Sequence, residues 1–379
     1  MMKEPEILDA CYNKAKHFIE KGLEYKIPGE IMKNIVIVVN EIENNKSVVS
    51  ALTTSFLKKI IDNQQDIRLH RKDFKGGYSA KSLDTKYTVP FFKKYFPKYA
   101  NKESAFLTLS LREKIKWTQK EGTALKIRNK KLKESFLKIL DDIENNKFPA
   151  DLYLTALFME LIKLMRKNEH LYNMVSTKEV KKEVLNIPVI LEMLNKHFSN
   201  PLSSRLPVIA IYSIYEILIP LLERYKNKKL ITLATHKSAD KHGFGDIEIY
   251  TMNNDAFEIV EIKHQIPITL ETIIDIENKT SNTNINRYYI LTTHEPCFET
   301  EEIENEINRY ILQIKLKNGM DIIANGILST LKYYLRFIDD YNLFLETYTK
   351  NLVKDARNST EVKKIHINSW INILNDYKN

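Results

Sequence analysis

FGDIEIYTMNNDAFEIVEIKH, residues 244–264, joins two short period-two runs through a polar turn and sets acids and a lysine on them. Side chains alternate along a strand, so Glu261 and Lys263 share one face with Cα atoms about 6.7 Å apart, at ~3.3 Å per residue, while Ile262 points to the other. With the turn centred on Asn253, Asn254 and Asp255, pairing Tyr250 with Phe257 sets Glu248 opposite Ile259 and Asp246 opposite Glu261. Facing carboxylates repel and lose solvation, an unfavourable arrangement for a structural hairpin unless a cation lies between them. A divalent metal supplies that charge. Glu248 projects on the Asp246 face in this register and is a rival ligand, and a one-residue slip would change which acids converge. The competing reading is a hairpin whose charged face is solvated.

Outward from the hairpin, LPVIAIYSIYEILIPLL (206–222) is the most apolar stretch, a helix with serines placed as caps and Pro207 near its first turn. It is interrupted by Ser213, Glu216 and Pro220 and is shorter than the ~20 apolar residues a bilayer requires. After the hairpin, ITLETIIDIENKTSN reads as a short helix and NRYYILTT (286–293) as a strand. A helical run, a strand at MDIIANG and two more helices complete the chain. Helical spacing also governs 6–63 and, in several segments, 129–225. Between them, residues 64–129 carry paired glycines, prolines and mixed basic and aromatic residues without sustained periodicity, which predicts irregular or short-strand structure. There is no internal repeat. The expected division is a helical and basic N-terminal region, 1–145, followed by 146–379.

A length of 379 residues suggests two or three domains. Cys11 and Cys297 form no CxxC pattern, which argues against a disulfide framework or a zinc cage. The N-terminal stretch has no apolar signal region, and a cytoplasmic location is expected. The net charge of +9 is localised: residues 65–133 hold 19 Lys and Arg against 6 Asp and Glu, a local +13 that leaves −4 for the remainder. Such a block suits a polyanion, because phosphate neutralisation with counterion release drives nonspecific nucleic-acid binding. A solvated lysine-rich surface is the alternative.

Asp246, followed after a turn by Glu261-Ile262-Lys263 on a neighbouring strand, resembles the PD-(D/E)xK nuclease motif. The surroundings, THKSADKHGFGDIEIY and FEIVEIKHQIPIT, are similar to type II restriction endonucleases of that superfamily. Gly245 stands where the motif has its Pro. The resemblance implies an α+β, mixed fold: a restriction-endonuclease-like αβββαβ core over about 203–325, with a large helical N-terminal region and helical C-terminal elements. It implies Asp246 and Glu261 as Mg²⁺ ligands with the Ile262 carbonyl as a third, and Lys263 as the catalytic lysine. The implied activity is site-specific hydrolysis of double-stranded DNA by a homodimer, with a cognate DNA methyltransferase protecting the host. A repair or transposition nuclease, or an inactive DNA-binding protein on the same scaffold, are the alternatives. GYSAKSLDTKYTVPFFKKYFP also resembles a stretch found in restriction enzymes.

Further candidates surround this motif. Glu216, inside the apolar helix, is a possible additional acid, or else a buried Glu paired with Lys or Tyr. His236 and Ser238, with Asp240 and His242, precede Asp246 and suit phosphate contact, or are simply a polar loop. His264 and Gln265 follow Lys263, where they could touch the DNA backbone or belong to the surface. Arg71, Lys72, Lys75, Lys81 and Lys86, interleaved with Phe74, Tyr78 and Tyr87 around Gly76-Gly77, form a candidate DNA-contact loop.

Overall fold

The computed structural model describes residues 3–377 apart from 24, 26, 146–147, 179 and 234–242. The chain divides into two compact units, Met1–His170 and Leu171–Asn379. The division falls later than the boundary read from the sequence, because residues 132–162 still pack into the first hydrophobic core while the second begins at Tyr172.

The first unit is helical: α1 (Glu4–Lys21), α2 (Gly29–Asn40), α3 (Ile42–Ile61), α4 (Ala80–Leu83), α5 (Val89–Tyr95), α6 (Lys130–Asn145) and the first part of α7 (Ala150–Ser176). The start of α1 is written locally, with a proline and two acids in its first turn and Gly22 closing it in the left-handed region at φ 62°. Helix α3 is buried on every side from Ser47 to Leu57, including its hydroxyl residues. Residues 64–129 contain no strand among the described residues. They fold as tight turns, 3₁₀ turns, α4, a π-helical turn at Asp84–Thr88 and α5.

The second unit holds the sheet. Its order is α8 (Ile187–Phe198), α9 (Arg205–Leu218), β1 (Lys228–Leu230), β2 (Ile247–Thr251), β3 (Ala256–Lys263), α10 (Leu270–Thr280), β4 (Arg287–Thr292), α11 (Glu301–Asn318), β5 (Asp321–Gly326), then α12 (Ile327–Leu335), α13 (Tyr341–Asn358) and α14 (Lys364–Asp376). From α9 to β4 the succession is α-β-β-β-α-β. The fold is mixed α+β, with a five-stranded sheet in the spatial order β1-β2-β3-β4-β5. Strands β1 to β3 are antiparallel, and β3, β4 and β5 are parallel. Parallel pairs need crossovers, which α10 and α11 supply on one face, against Ile259, Tyr288, Ile290 and Ile322. On the other face α9 and the C-terminal helices cover Ile247, Ile249, Val260, Ile262 and Leu291. Three helices, rather than the two expected, follow β5. The short β1 supplies the third strand that the αβββαβ order calls for, at a place not read from the sequence, since three residues carry too little periodicity. No helix among the described residues is long and apolar enough to cross a membrane.

Candidate active site

The hairpin forms with Glu248 opposite Ile259, as its alternation requires, and Ile247 opposite Val260. Tyr250 pairs with Ala256 rather than with Phe257, because a bulge interrupts the ladder between Ile249 and Tyr250. The extra residue, Phe257, packs on the α9 face. Asp246 lies one residue before β2. Its N–H donates to the Val260 carbonyl at 2.9 Å, and its Oδ2 accepts the Ile262 N–H at 2.8 Å. Asp246 therefore reaches the residues on either side of Glu261, the position to which the register of β2 and β3 extends.

Glu261 and Lys263 do share a face, and Lys263 Nζ lies 3.0 Å from Glu261 Oε1 with both side chains part-exposed. Behind them Tyr288 on β4 is fully buried. Its hydroxyl is raised above the ordinary tyrosine range by burial and then by the fields of Glu261, Asp246 and Glu248. One phenol thus lies in the field of three carboxylates. Tyr288 Oη donates to the Phe244 carbonyl at 2.7 Å.

Gly245 explains the missing proline. A Cβ there would lie 2.5 Å from Ile259 Cγ2 and 2.8 Å from the Val260 carbonyl oxygen, so the approach to β3 leaves room only for glycine. Among the described residues no group of three or more His, Cys, Asp or Glu could hold a metal ion. The candidate oxygen donors are the Asp246 carboxylate, which accepts the Ile262 N–H, and the Glu261 carboxylate, with the expected third, the Ile262 carbonyl, on the same strand as Glu261. Hard oxygens of this kind, with the remaining positions left to water, fit the needs of Mg²⁺ rather than those of zinc.

Glu216 does not join this group. Ser203, at the start of α9, meets His264, and Tyr215 near its end meets Glu258 at 2.8 Å, so α9 runs antiparallel to β3. Glu216 is roughly 20 Å along the helix from Ser203, at 1.5 Å per residue. It faces α13, accepting from Asn351 Nδ2 at 2.7 Å and Lys350 Nζ at 3.4 Å.

His264 is half-buried, and burial lowers its pKa. The Ser203 hydroxyl donates to the Phe198 carbonyl, so it accepts from His264 Nε2 at 3.0 Å, while Thr293 Oγ1 lies 2.9 Å from Nδ1. Both ring nitrogens are thus engaged in tying the end of β3 to the residues just ahead of α9 and just after β4. The expected cap on α9 also differs: Ser204 occupies the N-cap position without a side-chain cap bond.

Of the basic loop, Lys72, Lys75, Lys81 and Lys86 are exposed. Arg71 is committed internally, to Asp73 and to the Arg112 carbonyl at 3.0 Å each. Tyr78 is a correction, because it is buried in the first core at 8% exposure and is not a surface contact. Gly77 permits the turn, since a Cβ would fall 2.0 Å from the Arg71 carbonyl oxygen. His236, Ser238, Asp240 and His242 lie outside the described residues.

The sequence reading passed over Glu258, which is fully buried on the α9 face. It accepts from Tyr215 and Tyr225 hydroxyls at 2.8 Å each and pairs with Arg224 at 2.8 Å. The signal was available: alternation puts Glu258 beside Val260 and Ile262, and an acid there must find partners.

No protein-family model matches the chain, and a search of curated proteins finds no significant match.

Proposed function

We propose that the chain is a Mg²⁺-dependent endonuclease that hydrolyses phosphodiester bonds of double-stranded DNA, of the type II restriction class. The observation that carries this reading is the meeting of Asp246, Glu261 and Lys263 at the C-terminal end of β3, the central strand of the sheet, with Asp246 fastened to the Ile262 N–H and Lys263 beside Glu261. Asp246, Glu261 and the Ile262 carbonyl are the groups that would hold the cation. A bound divalent ion would supply charge stabilisation for the phosphate oxygens and acidify an attacking water.

The chain's own residues do the rest. The Lys263 ammonium, part-exposed and held by Glu261, can orient the attacking water or neutralise charge developing at phosphorus. The exposed lysines at 72, 75, 81 and 86 suit phosphate contacts that place the duplex. Cutting both strands of a two-fold symmetric site calls for two active sites, hence a homodimer, and a restriction activity calls for a methyltransferase that shields host DNA.

Incubation of the full chain with unmethylated plasmid and Mg²⁺ tests the reading. Discrete fragments are expected, with cleavage abolished by EDTA. Random degradation would favour a repair or transposition nuclease, and binding without cutting would favour an inactive DNA-binding scaffold. Cleavage that persists in excess EDTA would remove the metal from the reading.

A further inference from the structure

We infer that Glu248 and Tyr288 are positioning residues which clamp the two residues ahead of Asp246, and that Glu248 is not itself a metal ligand; this rests on the nuclease reading above. The clamp has three parts. Glu248 Oε1 accepts the N–H of Phe244 at 2.7 Å and that of Gly245 at 3.3 Å. Tyr288 Oη donates to the carbonyl of the same Phe244 at 2.7 Å. Gly245 is pressed so closely on β3 that no side chain fits. The backbone entering Asp246 is therefore fixed from both its donor and its acceptor side, by a β2 side chain and a β4 side chain.

Glu248 is 6% exposed and its other oxygen faces the Tyr250 hydroxyl at 3.4 Å. An oxygen that accepts two backbone N–H groups has its lone pairs directed at them, whereas a ligand must direct one at the ion. The consequence is a presented Asp246: its Oδ2 is set on the Ile262 N–H, and the carboxylate is held beside Glu261 with little conformational freedom to lose when a cation binds.

The two roles for Glu248 respond oppositely to an isosteric amide. A glutamine oxygen accepts backbone N–H groups as a carboxylate does, but it does not replace the charge of a ligand. In the full chain without DNA, Mn²⁺ binding followed by the electron paramagnetic resonance signal of free Mn²⁺ should stay within about threefold of the unsubstituted protein in Glu248→Gln, and weaken about tenfold or more in Glu248→Ala. Tyr288→Phe, which keeps the ring and loses one hydrogen bond, should fall between them. Its single-turnover cleavage should shift to higher Mg²⁺ while the rate at saturating Mg²⁺ stays near that of the unsubstituted protein. Should Glu248→Ala fail to fold, Glu248→Gln and Tyr288→Phe carry the test. Loss of Mn²⁺ binding in Glu248→Gln as complete as in Asp246→Ala would overturn the inference alone, as would unchanged Mn²⁺ binding in Tyr288→Phe. Absence of Mn²⁺ binding in the unsubstituted protein would overturn it together with the nuclease reading.

Discussion

Asp84 in the N-terminal unit and Asp246 in the sheet unit are both acids fixed by backbone N–H donors, and they are treated in opposite ways. Asp84 is fully buried, with the hydroxyls of Ser50 and Thr54 at 2.8 and 3.0 Å from one oxygen and the Ser104 hydroxyl and Ala105 N–H both at 2.7 Å from the other. Neutral donors surround it, fixing the π-helical turn to α3. Glu258 is its counterpart in the second unit, with two tyrosines and an arginine. Asp246 and Glu261, by contrast, are part-exposed, and Glu261 is paired with Lys263. An acid saturated by fold-internal donors has a structural task, while part-exposed acids beside one lysine are, on the proposed reading, the ones that would receive a cation.

The sharpest way to break that contrast is to remove an acid from each class. Asp246→Ala should lower single-turnover cleavage by at least about a thousandfold, about 4 kcal/mol of barrier, with duplex affinity in Ca²⁺ and the folded state retained. Lys263→Gln should fail comparably in rate and not in binding, because the amide carries no charge into the transition state. Cleavage within a few-fold of the unsubstituted protein in either variant would return the hairpin to a solvated charged face.

Glu258→Ala should act on stability instead, by about 3 kcal/mol in urea unfolding, since it strands Arg224 and two tyrosine hydroxyls; the third-exposed Arg224 keeps the loss at the lower end of the range for buried pairs. Asp84→Ala should cost about 2 kcal/mol through its orphaned donors. Neither should change the cleavage rate per folded molecule, and a rate loss without a stability loss would erase the distinction.

Buried histidines extend the comparison to pH. Burial pushes His197 from 6.5 down to about 3, with its ring 2.8 Å from the Tyr348 hydroxyl and 2.9 Å from the His366 carbonyl. The unfolded chain binds this proton more readily than the fold, so stability is full above pH 6.5 and declines as pH falls from 6.5 towards 3, by about 1.4 kcal/mol per pH unit for one such group. Histidine-ring NMR should show no titration of His197 above pH 4; a midpoint near 6 would contradict its burial.

The smallest expected effect separates the basic residues. Lys72→Ala with Lys75→Ala should reduce the log–log salt slope of duplex binding by roughly 0.9 for each phosphate left without its lysine. Arg71→Ala, already bonded within its loop, should leave the slope nearly unchanged and loosen the loop. Equal slopes for all variants would make this region surface decoration.

What was legible in the sequence was local. The alternation of IEIYT and FEIVEIK gave the hairpin, its principal pairing and the shared face of Glu261 and Lys263. Illegible were the features set by partners distant in the chain. The bulge at Phe257 altered the pairing at the turn, and the burial of Tyr78 depended on helices elsewhere in its unit. Periodicity says which face a side chain takes, not what waits there.

The sequence by itself determined the hairpin with α9, α10, β4 and β5 around it, the acids and lysine that the hairpin carries, and the localisation of positive charge. Only the tertiary structure decided which acids meet. Asp246 is fastened to β3 beside Glu261 at the end of the central strand, while Glu216 is carried away along α9 to Asn351, and Glu248 is taken up by backbone amides. The physical reason is that a carboxylate's character follows from the donors and charges within a few ångströms, and packing brings those together from remote parts of the chain.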